Sequence, residues 1–193
     1  VVGAGQQGKN QLEATLRVLP ALEEIYLCDK FPAAAEALAR DMAHHPQKIR
    51  VSNNIAEACS RSDVIITTTS SFEAIVMDEW IRPGTHINAI GTDTRGKQEL
   101  DPRIFSRATV VVDDPAQCCY LGECQHAYDA GIISRDSLHA QIGELITGKK
   151  QGRSTQAEIT IFDTTGVAIQ DLATAGYALE EALKAGVGTR ITL

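Results

Sequence analysis

The first eight residues, Val-Val-Gly-Ala-Gly-Gln-Gln-Gly, constrain this chain more than any other stretch. They read as the end of a buried strand running into a glycine turn, with Gly3, Gly5 and Gly8 in GxGxxG spacing. In such a turn the first glycine permits the tight bend, the second lets backbone approach a pyrophosphate, and the third lets helix pack on strand. The following helix turns its free N–H groups and positive dipole end toward the phosphates. Leu12, Leu16 and Leu19 recur at helical spacing, and Ile25-Tyr26-Leu27-Cys28 is a short apolar run ending at Asp29. The order is strand, turn, helix, strand. Asp29 stands 21 residues past Gly8, where the carboxylate of this motif meets the adenosine ribose 2′-hydroxyl. Its charge repels a 2′-phosphate, so the motif implies NAD over NADP.

Composition narrows the class further. A length of 193 residues buries one good core and leaves little for a second full domain. Hydrophobic content of 44% with 22% charged residues is that of an ordinary globular domain, and no apolar run reaches membrane-span length. A net charge of −7 without a basic cluster argues against a nucleic-acid partner. Five cysteines, an odd number, without a signal-like leader, suit free thiols in the cytoplasm. The chain opens without methionine inside an expected strand, from which an incomplete sequence is expected.

Further along, Pro32 with Ala34, Leu38 and Met42 reads as a second helix, ended by His44, His45 and Pro46. Two adjacent histidines at a fraying helix end are read as solvated rather than as metal ligands. Ile49 to Val51 and Ser62 to Thr67 are expected strands, with a short helix at Ile55 to Cys59 between them. The second strand runs into Thr67-Thr68-Thr69-Ser70-Ser71, a hydroxyl cluster at a carboxyl strand end, where open α/β sheets bind ligands. His86 to Ile90 is the next strand, and the loop Gly91 to Leu100 leaves it, carrying Asp93 four residues before Lys97. An acid/base pair beside a nicotinamide belongs here; spacing alone fits an exposed polar loop equally well. Thr109 to Val112 is a strand, followed by Asp114 as N-cap, Pro115 in the first turn and Gln117 at the capping-box position. One helix is then expected to carry Cys118, Cys119, Cys124 and His126, as core packing rather than zinc ligands. Leu138, Ile142, Leu145 and Ile146 suggest another helix. Ile159 to Phe162 is a last strand, and after Asp163-Thr164-Thr165-Gly166 a long helix should bury Ile169, Leu172, Gly176, Leu179 and Leu183 on its inner face. The sum is an α/β chain, a doubly wound, mostly parallel sheet of Rossmann type over residues 1–193.

Four segments in this order, VVGAGQQG, YLCDK, HINAIGTDTRGKQEL and FDTTGVAIQDLATA, resemble the ornithine cyclodeaminase/mu-crystallin family over almost the whole chain. The third and fourth are far more specific than the glycine motif. The resemblance implies the NAD-binding domain of an enzyme whose N-terminal substrate and dimerisation domain is absent here, so the isolated chain is expected to be inactive. The last helix, from about residue 167, is expected to pack toward that domain. The implied cofactor residues are Gly3, Gly5, Gln6, Gln7, Gly8, Asp29, Thr69, Ile87, Asn88, Ala89, Ile90, Lys97 and Thr164. Asp93 matches the proton-transferring aspartate, and Thr165 with Asp93 would face the substrate. The implied reaction is NAD-dependent conversion of ornithine to proline and ammonia, by a homodimer and without a metal. The loop departs from the ornithine pattern at Thr92, Arg95 and Gln98, and is almost as similar to the alanine dehydrogenase and pyrroline-carboxylate or ketimine reductase branches. A mu-crystallin-like NADP and thyroid-hormone binder is the non-enzymatic alternative. Loops of that branch resemble GASRPDWREL and lack the aspartate that this chain keeps at position 93.

Overall fold

A computed structural model describes residues 1–189 and 191. The elements in order are α1 (Gln6–Val18), β1 (Glu24–Leu27), α2 (Pro32–Asp41), β2 (Lys48–Val51), α3 (Ile55–Arg61), β3 (Val64–Thr67), β4 (Phe72–Val76), β5 (His86–Ala89), β6 (Gln98–Leu100), β7 (Ala108–Val112), α4 (Pro115–Leu121), α5 (Cys124–Asp129), β8 (Ala140–Gln141), α6 (Ile142–Ile146), β9 (Ile159–Asp163) and α7 (Ala168–Ala185). Short 3-10 turns cover Asp78–Trp80, Pro102–Arg107 and Arg135–Ser137.

The expected doubly wound parallel sheet is present. Strands β3-β5-β9-β7-β8 form one parallel sheet and β1-β2 another. Val2 joins them, bridging Cys28 on one side and Thr67 on the other, both in parallel. The chain therefore leaves Val2 at the point where strand order reverses, and in open sheets ligands bind in the crevice at such a point. Strands buried on both faces read as continuous apolar runs. Accordingly, Ile65, Ile66, Ile87, Val110, Val112 and Ile161 are all buried in or beside one main cluster. A second cluster under α1 and α2 holds Leu12, Leu16, Ile25, Leu27, Leu38 and Met42.

Several expectations need correction. Leu19 lies past the end of α1 and is exposed. The Gly91 to Leu100 stretch is not all loop: its end is β6, which pairs in parallel with β4, a strand the sequence did not announce. The single helix expected after Asp114 is two, broken at Gly122, where an added Cβ would meet the Asp163 carboxylate at 2.7 Å. Asp114 does cap α4, accepting from Gln117 N–H, yet the Gln117 amide closes no capping box and donates instead to Thr165 Oγ1 and Gly166 O, each at 2.7 Å. Leu138 precedes β8 rather than lying in α6. The largest departure is α7: it has no buried residue, and Ile169, Leu172, Leu179 and Leu183 are all exposed within the chain. The five cysteines are free and buried, and no metal-binding cluster occurs among the described residues. No helix among them is long and apolar enough to cross a membrane.

Candidate cofactor and acid/base site

The glycine turn is built as its spacing requires. Gly3 has φ +101°, and an added Cβ would lie 2.7–2.9 Å from Thr68; at Gly8 it would lie 2.0 Å from Gly3 O. No side chain could occupy either position without moving backbone. Gly5, by contrast, faces open space and starts α1 with no side-chain cap and no acid in the first turn. The positive helix end, with Gln6 and Gln7 exposed on it, is thus left free for an anion. This open, uncapped end fits the pyrophosphate of a dinucleotide.

Two contacts hold the turn from either side. Thr68 donates its N–H to Val2 O at 2.9 Å and its hydroxyl to Gly3 O at 2.9 Å. Asp29, at the end of β1, accepts Ala4 N–H on Oδ2 at 2.7 Å and Phe31 N–H on Oδ1 at 2.8 Å. The carboxylate therefore shapes the turn, while each oxygen retains a lone pair that a ribose hydroxyl could use.

A cleft of about 510 Å³ runs from this turn across the carboxyl ends of the strands. It brings together Gln7 of α1, Thr69, Ile90, the pair Asp93 and Lys97, and Thr164 with Thr165. Gly3, Gly5, Gln6, Gly8 and Asp29 lie outside its lining, at the turn itself, and three residues of the β5 run do not reach it. The side chains of Ile87 and Ala89 are wholly buried in the core, and Asn88 points to the other face, where its Oδ1 pairs with His86 Nε2 at 3.1 Å. Alternation along β5 explains this, and Ile90 is the residue of that run that reaches the cleft. A larger cavity of about 650 Å³ lies at the opposite ends of the strands beside His86, Thr109 and Thr160, and holds none of the candidate residues.

Asp93 and Lys97 form the charged centre. Lys97 Nζ donates to Asp93 Oδ1 at 2.7 Å, and Nζ also lies 3.4 Å from Gly91 O. The lysine hydrogen bond holds the Asp93 carboxyl below the usual range, against partial burial and with help from Thr94. Held in this way, Asp93 is ionised near neutral pH. The loop that bears the pair is not free: Gln125, buried, accepts Gly96 N–H at 2.7 Å and donates to Lys97 O at 3.3 Å.

Sequence reasoning missed the acids behind the cleft. Glu99 accepts N–H groups from Thr69 and Gly91; Glu123 accepts those of Glu99 and Leu100, and pairs with the Thr92 hydroxyl. Asp163 accepts the N–H groups of Glu123 and Cys124. Asp113 takes the Thr164 hydroxyl at 2.7 Å and the N–H groups of Thr165 and Gly166 at 2.9 and 2.8 Å. Burial pushes the Asp113 carboxyl up, but those bonds outweigh it and hold it below the ordinary range. The available signal was Asp163 heading FDTTG and Glu99 inside GKQEL; neither says that the side chain turns inward.

A family model described as the ornithine cyclodeaminase/mu-crystallin family matches residues 1–186. The alanine dehydrogenase of Archaeoglobus fulgidus is 44% identical over 98% of this chain and 58% of its own length. An archaeal alanine dehydrogenase solved as a dimer with bound NAD superimposes with TM-score 0.93 at 44% identity, over 100% of this chain and 59% of that one. The Thermococcus litoralis Delta(1)-pyrroline-2-carboxylate reductase, solved with NADH and L-proline, gives TM-score 0.93 at 34% identity, over 98% and 59%. The chain thus spans less than two thirds of the length of these relatives. With the glycine turn, the Asp93–Lys97 loop and the FDTTG segment all in place around one cleft, the chain belongs to the ornithine cyclodeaminase/mu-crystallin family.

Proposed function

We propose that this chain is the NAD-binding part of an oxidoreductase that transfers hydride between the nicotinamide and the Cα of a small α-amino or α-imino acid. The observation that carries the reading is one cleft that joins an uncapped helix end suited to pyrophosphate, a hydroxyl-bearing loop, and an ionised Asp93 held by Lys97. The cofactor supplies and takes back the hydride. The protein's own groups orient it and manage the proton. Gly3, Gly5, Gly8 and the α1 terminus receive the phosphates, and Asp29 the adenosine ribose. Thr69, Ile90 and Thr164 line the path toward the reacting end, and Thr165 lies on the substrate side. Asp93 takes a proton from the amino nitrogen when the amino acid is oxidised and returns it in the reverse direction.

The relatives act as an alanine dehydrogenase and a pyrroline-2-carboxylate reductase, which favours simple amino-acid oxidation and imine reduction. Cyclodeamination of ornithine is the second reading. It is favoured by the family's description, although the GTDTRGKQEL loop departs from the ornithine pattern at Thr92, Arg95 and Gln98, and it uses the same hydride step at Cα. The mu-crystallin alternative is the weaker, since Asp93 and Lys97 are both kept and paired. We further propose a homodimer formed through residues outside this chain, in line with the dimeric alanine dehydrogenase, working in the cytoplasm, as the five unpaired thiols suggest.

The test is a substrate panel on the full-length protein with product mass spectrometry: pyruvate with ammonium and NADH, pyrroline-2-carboxylate with NADH, and ornithine with catalytic NAD. Stoichiometric NADH oxidation on an imino acid is the expected result. Proline from ornithine without net NADH would replace it with the second reading, and failure to bind NADH would overturn both.

A further inference from the structure

Three buried acidic side chains lie behind the cleft in series. Asp163, at the end of β9, accepts the N–H of Glu123 at 3.1 Å; Glu123 accepts the N–H of Glu99 at 2.8 Å; Glu99 accepts the N–H groups of Thr69 and Gly91. Each acid holds the backbone of the next. All three are essentially inaccessible, at 0%, 1% and 0% exposure, and none has an ion-pair partner among the described residues. Burying acids without cations is costly unless their lone pairs are taken up. Here they are taken up by backbone N–H groups, which shape loops rather than merely fill a core.

The last link matters most. Thr69 and Gly91 belong to the two loops that flank the cleft, one after β3 and one after β5. The loops touch at this point: a Cβ on Gly91 would lie 2.3 Å from Thr69 O and 2.5 Å from Glu99 Oε1. The far end of the series, Asp163, directly precedes Thr164 and Thr165 on the third wall. We propose that Glu99 is a positioning residue, whose carboxylate fixes the spacing of the Thr69 and Gly91 loops, with Glu123 and Asp163 referencing both to the end of β9. This rests on the site reading above. Its consequence is that Glu99 controls how the reacting end of the cofactor is presented, while the glycine turn and Asp29 control whether the cofactor binds.

Glu99→Gln in the full-length protein separates these roles. The amide keeps one acceptor and turns an NH₂ toward the other N–H, so one loop is released. We expect kcat on the imino acid that the wild type reduces to fall about 10–100-fold, the scale of an ångström-level misplacement. The NADH dissociation constant, read by fluorescence, should stay within about threefold, since the helix-end phosphate site is untouched. The isotope effect with NADH deuterated at C4 should rise as hydride transfer becomes limiting. A Glu99→Gln enzyme with wild-type kcat and isotope effect would overturn the proposal. Should that variant not fold, Thr92→Val, which removes the hydroxyl paired with Glu123, is expected to show the same split with kcat lowered about 2–10-fold, the worth of one hydrogen bond; wild-type kcat there would overturn it equally. A wild type that binds no NADH would sink the site reading instead. The tether would then be judged by amide exchange at Thr69 and Gly91, protected in wild type and faster in Glu99→Gln; equal protection in both would overturn it.

Discussion

Lys97 holds Asp93 through an ion pair of 2.7 Å on a single loop, with the aspartate the more exposed of the two at 55% against 19% for the lysine side chain. An exposed pair of this kind adds little to stability, so its geometry is better explained by what it faces. Asp93→Asn keeps the shape and removes the proton acceptor. In the full-length protein, kcat is expected to drop by about 10²–10⁴-fold with little change in NAD affinity. An unchanged kcat would return Asp93 to the status of an exposed loop acid.

The same pair predicts a pH effect. The lysine hydrogen bond is the largest influence lowering the Asp93 pKa, so Lys97→Met should let it rise toward the ordinary carboxylate value. If ionised Asp93 is the working form, activity on the acid side disappears at higher pH in the variant than in the wild type. A kcat/KM profile carried down to about pH 2.5, below the ordinary aspartate value of about 3.9, shows this as a shift of the acid limb. Superimposable limbs would exclude Asp93 as the group titrating there.

How much of this was legible in the sequence depended on where each signal resides. The glycine turn, β3, β5 and β9 are announced by local spacing and apolar runs, and all stand where expected. Strand β4 was invisible because Phe72, its first residue, is 64% exposed and the strand lacks a clean alternation; only its long-range pairing with β6 makes it a strand. Asp93 and Lys97 could be named from one loop. Glu99 and Glu123 could not, since a glutamate in a polar stretch reads as surface, and only tertiary contact turns these two inward. In α7 the residues Ile169, Leu172, Gly176, Leu179 and Leu183 follow alternating three- and four-residue steps, which marks a stripe correctly but not what covers it.

That stripe gives a stability prediction. Among the described residues Leu172 and Leu179 stay uncovered, at 73% and 61% exposure. The double change Leu172→Glu and Leu179→Glu should therefore leave the melting temperature of residues 1–193 within about 2 °C, since surface changes rarely exceed about 0.5 kcal/mol. If α7 packs on a substrate domain outside this chain, as the family resemblance implies, the same change in the full-length protein should lower it by several degrees. A large loss in the short chain would mean that α7 folds back on the sheet.

Burial pushes the Glu123 carboxyl up to about 8 and that of Asp163 up to about 6, against about 4 in an unfolded chain. Between those values the folded state binds more protons than the unfolded state, so stability falls as pH rises. The contribution is complete below about pH 4; it is lost as the pH climbs through about 6 for Asp163 and about 8 for Glu123. Glu123→Gln imitates the neutral acid: its oxygen can keep the N–H groups of Glu99 and Leu100, and its amide can donate to Thr92. Thermal melts should show a flatter pH dependence in the variant, with the advantage over wild type growing toward pH 8. Parallel curves would show that Glu123 is ionised throughout.

In the proposed reading cofactor choice turns on Asp29, whose two oxygens accept Ala4 N–H at 2.7 Å and Phe31 N–H at 2.8 Å. The residue thus has two separable effects: a negative charge where a 2′-phosphate would sit, and a clamp on the glycine turn. Asp29→Ser removes both. Loss of the charge should relax discrimination against NADPH by about tenfold or more, each 1.4 kcal/mol being one decade. Loss of the clamp should at the same time weaken NADH, because a buried-side hydrogen bond is worth about 0.5–1.5 kcal/mol. Asp29→Asn, which keeps an acceptor for one N–H and drops the charge, should relax discrimination with a smaller cost to NADH. Titration of both nucleotides against the three proteins separates the effects. Tighter binding of NADPH than NADH by the wild type would show that the carboxylate serves only the turn.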